Sequence, residues 1–243
     1  MRKSGNPALS KKTFENLNST TGEVMTLDGT VNKTAMSLAI LFFAAYYTYS
    51  NPIVEYMWIG FGGGLVMAIV TICKKEWSPI TVPIYAVLEG LFLGGISKIF
   101  GDLFEPGIVP QAISLTLGIL IALLFAYKTK IIKITENFKL GIFAATAGIG
   151  VVYLISIFMS VFGGGGLPIM DPTNSSMISI GFSLFVVAIA SLNLVMDFDF
   201  IERGVENGAP KYMEWYGAFG LLVTLIWLYL EILKLLAKLN SRK

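Results

Sequence analysis

The chain has 243 residues, of which 55% are hydrophobic and only 14% charged, with a net charge of +2. A soluble domain carries about 25% charged residues, so this composition, with its repeated apolar runs of about 20 residues, reads as a polytopic helical membrane protein without a sizeable soluble domain. The charge balance gives no case for nucleic acid binding, the lone Cys73 excludes an intrachain disulfide or a cysteine-rich metal site, and the lack of histidine leaves proton chemistry to carboxylates.

Residues 1–33 are polar and lack the apolar core of a signal peptide; they read as a cytosolic tail, partly disordered, whose Phe14 and Met25 are candidates for docking on the bundle. Residues 34–243 read as one transmembrane domain of seven helices. The first span is about 34–50 and stops before Asn51-Pro52; the second, about 54–73, carries Gly60, Gly62, Gly63 and Gly64. Small residues of this kind let membrane helices approach closely. Lys74-Lys75-Glu76-Trp77 closes that span with charges and an interfacial tryptophan. The third span, about 80–100, has Glu89 near its middle and Gly90 and Gly94 in a small-xxx-small pattern. Glu105-Pro106-Gly107 is a turn. The fourth span is about 108–127, followed by a basic loop, Lys128 to Lys139, and the fifth is about 140–162. Gly163 to Gly166 and Pro168 to Pro172 read as a flexible loop. The sixth span is about 176–198, a polar connection follows, and the seventh is about 214–238.

The tail and the connections after spans two, four and six hold most of the Lys and Arg, which places the tail in the cytosol. Seven crossings then put the C-terminus outside, although it carries Lys234, Lys238, Arg242 and Lys243. Either the last segment fails to cross and returns, or the first six spans set the topology and overrule those charges; seven crossings are the favoured reading, and a last helix buried inside the bundle would explain its polar end. No internal repeat, heptad run, P-loop, Rossmann or zinc signature occurs.

Chemistry concentrates in acids that lipid should exclude, because ionisable groups within a bilayer are costly and face the bundle interior, paired or functional. Asp197 lies four residues after Asn193 and shares its helix face; Asp199 points elsewhere. The plain alternative is that both aspartates cap the cytosolic end of span six beside Arg203. Glu231 shares a face with Trp227 and Thr224, and its plain alternative is a local pair with Lys234 at i,i+3. Glu89 is the deepest acid by position, and its plain alternative is a protonated carboxyl bonded to a neighbouring helix. Two carboxylates held close in low dielectric do not both ionise cheaply, so they share a proton or take up a cation, and such oxygens also suit calcium. Proton loss would then separate helices, with the glycines of spans two and three and the Gly163–Gly166 loop accommodating the movement.

Val195-Met196-Asp197 followed by Ile201-Glu202-Arg203, and the closing helix Trp227-Leu228-Tyr229-Leu230-Glu231-Ile232-Leu233-Lys234-Leu235, resemble the Bax inhibitor-1 family. Glu89-Gly90-Leu91-Phe92-Leu93-Gly94 is similar to that family's small-residue third helix, and the tail resembles the bacterial YccA-like branch. The resemblance spans nearly the whole chain through order and spacing. It implies an all-α membrane protein with the last of seven helices central among six. It implies a pH-sensitive calcium leak governed by acids on helices six and seven, here Asp197 and Glu231, with calcium as the transported ion met by that pair. Glu89, Asp199, Asn193 and Arg203 are auxiliary candidates. The chain departs from the family pattern in having Glu at 231, an extra acid at 199 and a longer connection before span seven. Some members also latch the helix-six aspartate with a helix-two arginine, and no arginine lies between Arg2 and Arg203, which leaves Lys74 or Lys75 for that role. A bacterial inner-membrane protein with a cytosolic N-terminus follows. The competing reading is a regulatory membrane protein that binds a membrane protease or a stress or death-pathway partner through its tail. A proton-coupled transporter has no visible inverted repeat in its favour. An intramembrane aspartyl protease comes last, since no Gly-x-Gly-Asp motif occurs, and the chain is read as a non-enzyme.

Overall fold

The computed structural model describes residues 23–242 other than Pro52, Pro106 and Lys133. They form seven α-helices: α1 (Leu27–Ser50), α2 (Val54–Cys73), α3 (Ser78–Leu103), α4 (Ile108–Lys128), α5 (Glu136–Phe162), α6 (Met177–Glu206) and α7 (Met213–Asn240). Short 3₁₀ turns occupy Lys75–Trp77 and Pro168–Met170. Phe14 lies outside the described residues.

Six helices, α2 to α7, are long and apolar enough to cross a bilayer. The expected first span is the exception. α1 has 24 residues, enough to span at 1.5 Å per residue, but it is more polar than the others. Its polar residues Thr30, Ser37 and Thr48 are buried while Phe43 and Tyr46 are exposed, so the hydroxyls face inward and the aromatic rings outward. Three threonine hydroxyls within the helices bond their own backbone: Thr48 and Thr71 donate to Ala44 O and Met67 O, and Thr116 to Ala112 O. That satisfies them where no water is available, whereas buried Ser37 Oγ has no partner among the described residues.

Two boundaries differ most from the sequence reading. α1 begins at Leu27, inside the expected tail, because Thr26 caps it by accepting the Gly29 N–H at 3.0 Å and Asp28 supplies an acid in the first turn. α6 continues past the aspartates to Glu206. It ends where Gly208 takes φ 62°, with Gly208 N–H donating to Val205 O and Ala209 N–H to Gly204 O, both at 3.0 Å. This is a Schellman-type stop, for which glycine at the left-handed position is favoured. Asp197 and Asp199 therefore sit well inside the helix rather than at its end.

The described residues fall into two compact units, 23–99 with 197–223, and 100–196 with 224–242. In the first, α3 lies against α1 and α2 through glycines. A Cβ on Gly90 would collide with Leu41 O, and one on Gly94 with Ala45 O. On the other side Gly60 faces Leu88 O, Gly64 faces the Glu89 carboxyl, and Gly95 faces Met57. Gly62 has open space around it. Gly60, Gly90 and Gly94 face backbone atoms and hold the helices at backbone distance; a backbone wall cannot yield as a side chain can. Tyr85 packs edge-on against Phe219, ring centroids 5.0 Å apart.

In the second unit the loop after α5 is folded from Leu167 onward. Leu167 N–H donates to Ser156 Oγ (3.0 Å), Asn174 Nδ2 to Pro168 O (2.8 Å), and Ser179 Oγ to Ile169 O (3.2 Å). Of the six candidate spans α7 is the most enclosed, 67% buried against 17% for α5.

Candidate functional site

The first unit contains two of the sequence-predicted acids from α6, and they divide. Asp197 is fully buried, with Val195, Met196 and Phe198 buried around it in sequence. Asp199 is paired with Arg203 one turn on, at 3.0 Å, as its plain alternative had it, but within α6 and not as a cap at its end. Arg203 is 44% exposed, so this pair is of the screened kind that contributes little. Glu89 is half-buried on α3, with Tyr85 as its hydrogen-bonding neighbour and the bare backbone of Gly64 in front of it. The Lys75 ammonium stands 5.9 Å from the Tyr216 ring centroid.

One further buried acid in this unit escaped the sequence reading. Glu214, in the first turn of α7, is 1% exposed. Its Oε1 accepts from Thr26 N–H (3.0 Å) and Thr26 Oγ1 (2.9 Å) and lies 3.2 Å from Lys211 Nζ. A Cβ on Gly29 would collide with its carboxyl, so only glycine leaves room there. The adjoining chain follows: Met25 N–H donates to Ala209 O at 2.7 Å, Lys211 N–H to Glu23 O at 3.0 Å, and Val24 bridges Pro210. Met25 is 1% exposed, with its methyl near Gly217, as the docking expectation required. Residues 23–26 thus form a strap bonded to the start of α7. A pattern of Thr then Asp two residues later was a capping signal in the sequence; nothing local announced Glu214 as its partner.

In the second unit Glu231 is 3% exposed and its Oε1 accepts from Lys234 Nζ at 2.8 Å. The local i,i+3 pair is therefore formed, but inside the protein rather than in an exposed interface. Tyr153 of α5 borders it, and the Lys234 ammonium lies 5.2 Å from the Tyr153 ring centroid. Asn193 is buried and donates through Nδ2 to Thr146 Oγ1 and Ile189 O, both at 2.9 Å. Its Oδ1 makes no hydrogen bond. One turn beyond Lys234, Lys238 is 1% exposed. Its Nζ donates to Ile169 O at 2.6 Å, Ser183 Oγ at 2.8 Å and Ser179 O at 3.3 Å. Near it, Asp171 is held below the usual carboxylate range, first by the Thr173 hydroxyl and amide, with Lys238 adding to the effect.

Among the described residues no group of three or more His, Cys, Asp or Glu side chains is placed to hold a metal ion. The acids with deep burial are Asp197, Glu214 and Glu231. A family model described as Bax inhibitor 1 like matches residues 6–241. The chain belongs to the Bax inhibitor 1-like family. A search of curated proteins finds no match to it. Membership agrees with the helical membrane character of the chain, and it makes this a Bax inhibitor-like membrane protein in contact with lipid.

Proposed function

We propose that this Bax inhibitor 1-like protein is a passive, pH-sensitive cation leak with calcium as its transported ion, governed by Asp197 and Glu231. The observation that carries the reading is that these acids lie 0% and 3% exposed in helices composed to cross lipid. Carboxyls stay in such surroundings by sharing a proton, pairing, or admitting a cation. Glu231 already holds the Lys234 ammonium, so an incoming cation competes with it. With the acids protonated the path is shut; proton loss leaves negative charge that draws a cation in or drives the helices apart. α1 makes the seventh crossing, its hydroxyls turned inward, and α7 is the central helix, as its burial supports. The Lys and Arg distribution supports a cytosolic N-terminus, and the tail supports the bacterial YccA-like branch and an inner-membrane location.

Purified protein in liposomes tests this. Calcium entry should be faster at one pH than another, and Asp197→Asn should shift or flatten that profile. A flat profile in the wild type, unchanged in the variant, removes the leak reading.

One observation favours a second reading, a regulatory protein that restrains a membrane protease or stress-pathway partner. Glu23–Thr26 are bonded to the start of α7 and the turn before it. Removing residues 1–22, and so sparing the buried Met25, should abolish partner capture while leaving liposome flux intact.

A further inference from the structure

Among the described residues Lys238 is the most completely buried cation, 1% exposed, and the leak reading gives it no role. Three features make its surroundings more than an anchor. All three acceptors are neutral oxygens, the carbonyls of Ile169 and Ser179 and the hydroxyl of Ser183, so every N–H of the ammonium has a partner. Rings of carbonyl and hydroxyl oxygens of this kind replace the hydration shell of a small monovalent cation. The oxygens also come from the α5–α6 loop and the first turns of α6, while the cation comes from α7. The loop side is fixed independently by Leu167 on Ser156, Asn174 on Pro168, and Ser179 Oγ on Ile169 O. The charge itself is favoured at the C-terminal end of a helix, with Asp171 and Glu231 as the negative groups facing it and Lys234 opposing them.

We propose that Ile169 O, Ser179 O and Ser183 Oγ form a binding site for a primary ammonium or similar small monovalent cation, which the chain keeps filled with its own Lys238. Glu231, Lys234 and Lys238 follow one face of α7, about 10 Å from first to last. Resting on the leak reading, the tethered ammonium closes the path between Glu231 and the α5–α6 loop.

Full-length Lys238→Ala protein in detergent tests the site. The truncation removes Cγ, Cδ, Cε and Nζ, the atoms of n-propylammonium. At ten times its Kd, n-propylammonium should raise the melting temperature of this variant by about 3–6 °C, saturably. n-Propanol, which lacks the charge, and tetramethylammonium, which lacks N–H donors, should leave it unchanged, as should n-propylammonium with the wild type. No rise, or an equal rise with n-propanol, overturns the site. Should Lys238→Ala fail to fold, amine labelling decides instead. Lys238 should label at least about tenfold more slowly than the half-exposed Lys211 in the wild type, and Ser183→Ala should abolish that protection. Equal labelling of Lys238 and Lys211 in the wild type overturns the site. In liposomes Lys238→Met should raise cation flux several-fold, and an unchanged flux overturns the closure. A wild type that passes no cation at any pH defeats the leak reading alone, since melting and labelling still judge the site.

Discussion

Gly60 and Gly62 lie on the same helix and differ in one respect: what a methyl group would meet. At Gly60 it would stand 2.5 Å from Leu88 O and 2.6 Å from Phe92 N, both backbone atoms of α3. Ordinary carbon contacts begin near 3.4 Å, so α2 and α3 would have to part by about 1 Å, and overpacking of this kind costs about 1–3 kcal/mol. At Gly62 nothing lies within 4 Å, and alanine should gain up to about 1 kcal/mol from helix propensity. The two Gly→Ala variants should therefore differ by about 3 kcal/mol, roughly 6–12 °C in melting temperature for a chain of this size. Thermal unfolding of each in the same detergent measures it through tryptophan fluorescence. Equal midpoints, or a Gly60→Ala protein as stable as the wild type, would mean that the helix contact has slack and would refute the reasoning.

Asp199→Asn should cost under about 1 kcal/mol in thermal melting, because the pair it breaks with Arg203 is partly exposed; in liposomes it should leave the pH profile of flux in place, in contrast to Asp197→Asn. Thr26→Val removes both the cap on Gly29 N–H and the hydroxyl bond to buried Glu214, and should destabilise by about 1–3 kcal/mol in the same assay. At the α5–α6 loop, the Asp171 carboxyl is held low by Thr173, so its contribution is present above the ordinary carboxylate value of about 3.9 and lost as pH falls through the lower folded value. Amide exchange at Thr173, whose N–H it accepts at 2.8 Å, should stay slow until that lower pH, and Thr173→Ala should move the loss upward.

Helix number was legible because apolar length is a strong signal, and α2 came out at Val54–Cys73 as read. What was not legible is pairing at a distance. Two acids close together looked like the end of α6, yet the helix continues because Arg203 answers Asp199 and glycine at the left-handed position comes only at Gly208. The start of α1 looked like tail because Thr30, Asn32, Lys33 and Thr34 are polar, and only the fold turns Thr30 inward. Glu231 and Lys234 were visible as a pair, but their burial was not. Lys238 read as a basic terminus, since its acceptors lie 55 to 69 residues away in sequence. The glycines were recognised as packing residues, while their stiffness depends on whether backbone or side chain faces them.

The oxygens around Lys238 also bear on how the chain is made. Ile169, Ser179 and Ser183 are translated before residue 238, so the receptor for the ammonium is finished before its occupant leaves the ribosome. A cation that lipid would otherwise reject then has its acceptors ready in a part of the chain already made, whatever the charges at the end of the last helix favour.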